Sequence, residues 1–123
     1  MNKVKEFHQK VNLAIDEPFS KELLEFRMKL IFEEVQELAD VALRLEGNLD
    51  QGEQYVMLQD FLQEMCDVVY VIKGTALSFG MDFDKAFDLV HQANMSKYPF
   101  TKGKHGKVLK GDNYKPPILE ECI

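Results

Sequence analysis

Apolar residues recur at three- and four-residue steps along most of the chain before Pro99, and no stretch keeps the two-residue alternation of a strand. Val4, Phe7, Val11 and Ile15 trace a first helix from about Asn2 to Ile15, broken by Asp16-Glu17-Pro18. Ser20 suits the N-cap of a long second helix that stops near Gly47, and Asn48 to Gly52 form a turn. A third helix runs from about Glu53 to Phe79, with Gly80 as its stop and Gly74 as an interior break in helix propensity. Asp82 can cap a fourth helix from Phe83 to about Lys97, whose buried stripe holds Phe83, Phe87 and Val90. Beyond Pro99 the periodicity disappears into Gly103, Gly106, Gly111 and the Pro116-Pro117 pair, which read as an extended arm with room for a small hairpin. The pattern predicts an all-α fold, an antiparallel helical bundle with two long central helices and an extended C-terminal arm. The long pair should project beyond the shorter helices, leaving an apolar face that a second copy would cover. A homodimer or homotetramer is therefore expected.

Composition narrows the setting. At 123 residues the chain is sized for one domain. Its apolar runs fall short of the roughly 18 residues a membrane span needs, and its first residues are too polar for a secretory signal. Cys66 and Cys122 lack framework spacing, so a reducing cytoplasm is the expected location. The net charge of -6 is unevenly spread. Residues 1–96 carry 9 basic against 18 acidic side chains, whereas residues 97–123 carry 6 lysines against 3 acids. An acidic body argues against a nucleic-acid groove and fits cation binding, and the lysine-rich tail suits a small polyanion or simple solvation.

The acids of the second helix interrupt its packing stripe. Glu33, Glu37 and Glu34 fall at about 0, 40 and 100 degrees around the axis, and Leu30 and Val41 fall at about 60 and 80 degrees in the same arc. Glu64 and Asp67 do the same on the third helix, among Phe61, Val68, Val71 and Ile72. With 26 residues between Glu37 and Glu64, folding the hairpin at its turn sets Glu34 and Glu37 opposite Glu64 and Asp67. At an effective dielectric of about 20, two such charges about 4 Å apart repel by roughly 4 kcal/mol. Either protons or a cation must offset that. Oxygen ligands without His or Cys favour Mg2+, with Mn2+ as a substitute, over zinc, and the absence of a His three residues after Glu34 or Glu64 argues against a di-iron bundle. A solvated charged face is the plain alternative, but neither Glu64 nor Asp67 has a Lys or Arg three or four residues away.

The Glu-Glu-x-x-Glu at 33–37, followed by Glu-x-x-Asp at 64–67, resembles the all-α nucleoside triphosphate pyrophosphohydrolases of the MazG-like superfamily. The likeness continues through His91-Gln92-Ala93-Asn94-Met95-Ser96-Lys97 and Gly106–Tyr114. It implies a helical catalytic domain over residues 1–97, with residues 98–123 as an arm of the same domain. It also implies cleavage of a nucleoside triphosphate between its α and β phosphates, for control of nucleotide pools. Glu34, Glu37, Glu64 and Asp67 become magnesium ligands, and Glu33, beside Glu34, becomes the residue that orients or deprotonates the attacking water. Asn94 and Lys97 become phosphate contacts, joined by Lys110 and Tyr114 from the arm. For the base, Phe7, Val11, Asn12, Phe19, Phe32 and Tyr70 offer surfaces, and His8 is the candidate for a base-edge hydrogen bond. Two alternatives stand beside this: a phosphoribosyl-ATP pyrophosphohydrolase of histidine synthesis, and a non-catalytic nucleotide-binding helical dimer module.

Overall fold

A computed structural model describes residues 1–123. The chain is all-helical, with α1 at Asn2–Val11, α2 at Lys21–Leu45, α3 at Gln51–Ser78 and α4 at Phe83–Met95. It falls into two compact units, Met1–Gly80 and Met81–Ile123, so α4 groups with the C-terminal segment. None of the helices is long and apolar enough to cross a membrane.

In the first unit the long helices α2 and α3 form an antiparallel hairpin, and α1 lies against α3. Side chains placed at the helix starts set these boundaries. Ser20 Oγ accepts from the Leu23 amide at 3.1 Å, and Asp50 Oδ1 accepts from the Glu53 amide at 2.8 Å. Each satisfies one of the amides that an α-helix leaves unpaired at its N-terminus.

The first helix is shorter than its apolar spacing predicts, ending at Val11 instead of Ile15. Asn12 takes a left-handed conformation, φ 59° and ψ 46°, and the Leu13 amide turns back to the His8 carbonyl at 2.8 Å. The freed segment then feeds the core. The Ala14 carbonyl accepts from Ser78 Oγ at 3.1 Å and from His8 Nδ1 at 2.9 Å, and the Asp16 and Glu17 amides donate to the Leu77 and Ser78 carbonyls. Continuing the helix would orphan the buried Ser78 hydroxyl, a loss of about 1–3 kcal/mol.

Gly74 marks the closest approach in this unit. A Cβ there would stand 2.5 Å from Arg27 Nη2 and 2.7 Å from His8 Nε2. In an unobstructed helix Gly→Ala gains about 0.5–1 kcal/mol. Here Arg27 and His8 are both about 2% exposed and held by hydrogen bonds, so they cannot yield freely. Gly74→Ala is expected to destabilise the protein by about 1–2 kcal/mol in urea unfolding, within the usual range for overpacking. A gain in stability would show that Arg27 moves aside easily.

In the second unit Asp82 caps α4 through the Lys85 amide at 3.1 Å, while its own amide donates to the Cys122 carbonyl at 2.7 Å. Lys85 pairs with Glu121 at 3.0 Å, and Ser96 Oγ receives the Lys115 amide at 2.9 Å. The expected hairpin is reduced to a single bridge, Lys102 to Val108, around a left-handed His105 and Gly106.

Candidate metal centre

Glu34, Glu37 and Glu64 each bring a carboxylate oxygen within 4.8 Å of the others. They come from two helices. Glu34 and Glu37, three residues apart on α2, share a face, and the antiparallel hairpin carries Glu64 of α3 to the same height. Neighbouring apolar positions hold the carboxylates near the seam. Oε2 of Glu34 and Oε2 of Glu64 are shut off from solvent and have no hydrogen-bond partner.

Proton affinities reflect this crowding. Burial pushes the Glu34 carboxyl above the usual carboxylate range, and the charges of Glu37, Asp67 and Glu64 add to the rise. Glu64 is raised by desolvation first, then by Glu37, Asp67 and the more distant Asp60. Glu37 raises the proton affinity of both, as a third carboxylate held this close must. Asp67 lies outside the tight trio, yet its charge is felt by Glu34 and Glu64. No lysine or arginine pairs with any of these acids.

The donor set fits a hard divalent cation. Two buried, unpartnered carboxylate oxygens meet a third carboxylate at coordinating separation, with a fourth acid close behind. Protein oxygens left unpaired in this way are rare because each forfeits its solvation without a substitute. An ion of charge +2 offsets both the desolvation and the mutual repulsion.

The other predicted residues are placed variously. Glu33 is exposed on α2, near Lys29 and Phe32, and does not join the trio. Asn94 is exposed near the end of α4. Lys97 and Lys110 both lie over the Tyr114 ring, at 5.9 and 4.7 Å from its centroid, so three of the four proposed phosphate contacts, all of them in the second unit, cluster together. Gly111 permits this, since a Cβ there would collide with the Pro99 and Lys97 carbonyls. His8 is buried, with Nδ1 engaged by the Ala14 carbonyl, and borders a cavity of about 300 Å³ that Phe7, Phe26, Arg27, Leu30, Tyr70 and Val71 also line.

Arg27 is the residue that sequence reasoning missed. It is about 2% exposed, and its Nε and Nη2 donate to Thr75 Oγ1 at 3.2 Å and the Val71 carbonyl at 3.1 Å. Both acceptors are neutral. Desolvation alone lowers its pKa, though a guanidinium stays charged. The available signal was its spacing, since Arg27, Leu30, Glu34 and Glu37 follow one stripe of α2.

Residues 4–94, which span both carboxylate pairs, match the phosphoribosyl-ATP pyrophosphohydrolase family. The chain belongs to this family. The family lies within the MazG-like all-α nucleoside triphosphate pyrophosphohydrolases, so the matched region is a pyrophosphohydrolase domain. The match covers α1 to α3 and nearly all of α4, and stops before Lys97 and the Tyr114 cluster. No curated protein matches the chain.

Proposed function

We propose that this protein hydrolyses a nucleoside or deoxynucleoside triphosphate between its α and β phosphates, releasing a nucleoside monophosphate and pyrophosphate, with magnesium as the required cation and manganese as a substitute. The observation that carries this reading is the pair of buried, unpartnered oxygens of Glu34 and Glu64 beside Glu37. A triphosphate would be repelled by these acids alone. Magnesium supplies the positive charge that holds phosphate oxygens and offsets the charge developing on them. Glu34, Glu37, Glu64 and Asp67 hold that ion in this reading. Glu33, exposed to water next to Glu34, orients or deprotonates the attacking water, and no covalent intermediate on the protein is needed. Lys97 and Lys110, together over Tyr114, give the C-terminal unit a compact pair of positive charges suited to the leaving pyrophosphate, with Asn94 as a further donor. The exposed apolar side chains of the long helices, among them Phe32, Leu43, Tyr55 and Leu62, support a homodimer or homotetramer. Control of nucleotide pools is the proposed role.

Phosphoribosyl-ATP is the second reading, and the description of the matched family favours it. A single panel separates the two. Pyrophosphate release is measured with magnesium on the common NTPs, the dNTPs and phosphoribosyl-ATP, and on the first reading at least one free nucleotide is turned over faster than phosphoribosyl-ATP. Turnover of phosphoribosyl-ATP alone would overturn that preference. Magnesium binding without hydrolysis of any of them would leave only a nucleotide-binding module.

A further inference from the structure

The cavity between α1, α2 and α3 lies on the same seam as the carboxylates. Leu30 is one helical turn before Glu34 on α2, and Val71 is one turn after Asp67 on α3. Arg27 and Glu34 are therefore separated by about 10 Å along the helix axis, a spacing suited to the nucleoside part of a nucleotide. Its walls are mainly aromatic and aliphatic, with Phe7 and Tyr70 in edge-to-face contact at 5.7 Å. Its volume of about 300 Å³ is at the small end for ligand pockets and accommodates a planar base.

The polar feature of this wall is a cation with no anionic partner, set over the Phe26 ring at 6.0 Å from its centroid. Arg27 spends two donor groups on neutral acceptors, has no carboxylate partner, and leaves its Nη1 amino group without a protein acceptor. A link between Thr75 and the Val71 carbonyl could be made by a neutral side chain without burying a charge, which is costly when unpaired. A guanidinium can only donate. An occupant that brings an acceptor can replace water at this donor, and the apolar walls suit a flat, neutral group over a phosphate.

We propose that this cavity receives the nucleobase and that Arg27 selects bases presenting a carbonyl oxygen where adenine presents an amino group. This rests on the function proposed above. His8, with Nδ1 held by the Ala14 carbonyl and Nε2 turned toward the approach of Arg27 to Gly74, forms the polar corner beside it. Arg27 is thus a specificity-determining residue, and its donors remain distinct from the carboxylates that hold the cation.

Inosine and adenosine nucleotides differ at the six-position in this sense and at the adjoining N1, which carries a proton in inosine and accepts in adenosine. The loss of preference in the Arg27 variants is therefore what assigns the six-position contact to the guanidinium. Wild-type kcat/KM for pyrophosphate release is expected to favour ITP over ATP by about tenfold to a hundredfold, the scale of one hydrogen bond from a charged donor. Arg27→Met should bring that ratio close to one, mainly through KM for ITP, and Arg27→Lys should restore part of it. A merely structural arginine would lower both substrates together and leave the ratio intact, which would overturn the proposal. Calorimetry with IMP and AMP on the wild-type protein gives a reading that needs neither a folded variant nor turnover. Equal affinities would overturn the assignment even if triphosphates are hydrolysed. Tighter IMP binding, weakened by Arg27→Lys, would sustain it even if no triphosphate is hydrolysed, in which case the proposed function alone fails.

Discussion

Glu64→Gln is expected to lower magnesium-dependent pyrophosphate release by at least about a hundredfold while raising the melting temperature of the metal-free protein. Loss of groups that only support metal ligands already costs about tenfold to a hundredfold in many metal sites, and Glu64 is proposed to be a ligand itself. The amide keeps the shape of the side chain, removes one charge from a cluster of four acids, and can donate where the carboxylate could only accept. It therefore relieves the repulsion that raises the proton affinities of Glu34 and Glu64. The opposed directions are the diagnostic part. A structural carboxylate would lose stability when replaced, and a solvated one would change neither quantity. Glu25→Gln, on an exposed part of α2, is the matched control and should leave activity near wild type. Unchanged hydrolysis by Glu64→Gln, or a lower melting temperature without metal, would remove the metal-centre reading. Differential scanning fluorimetry in EDTA, run beside a coupled pyrophosphate assay, measures both.

Much of this centre was legible because local rules and the site pointed the same way. The caps at Ser20 and Asp82 announce the starts of α2 and α4, and each accepts the expected amide. A short turn between two long amphipathic helices leaves little freedom in their pairing, so the heights of Glu34, Glu37 and Glu64 follow from counting residues. Helical angles did not separate the acids. Glu33 lies only about 40 degrees from Glu37, in the same arc, yet it stays outside the trio that Glu34, Glu37 and Glu64 form. The end of α1 was hidden because its apolar spacing runs on to Ile15, whereas the stop depends on a left-handed Asn12 and on Ser78, 64 residues after Ala14. The stripe of α2 marks the direction of Arg27, but its partners were hidden for the same reason. Thr75 is 48 residues away and Gly74 opens the space beside it, and no local pattern marks a contact of that range. The glycine that weakens the propensity of α3 is the one its packing requires.

The metal-free protein should lose stability as the pH rises from about 4.5 toward neutrality, and magnesium should reverse that trend. Glu34 and Glu64 both have folded-state affinities for protons above the ordinary value of 4.5. Between that value and their raised ones, the folded chain binds more protons than the unfolded chain, so stability falls with increasing pH. The stabilisation relative to neutral pH is complete below 4.5 and is lost as pH rises through the folded-state values. Asp50 and Glu121 act in the other direction and in a lower window. Hydrogen bonds from Glu53 lower the first below 3.8, and the bond to Lys85 lowers the second below 4.5, so their contributions are present at higher pH and lost on acidification. The two sets therefore act in opposite directions on either side of the ordinary carboxylate range. Cation binding requires the deprotonated carboxylates, so the shift between EDTA and magnesium should grow as the pH rises through the folded-state values of Glu34 and Glu64. Glu64→Gln should flatten both the metal-free decline and the magnesium-dependent rise. A melting temperature in EDTA that increases throughout this range, or a magnesium shift that does not change with pH, would show that the buried oxygens of Glu34 and Glu64 are not the groups on which the cation acts.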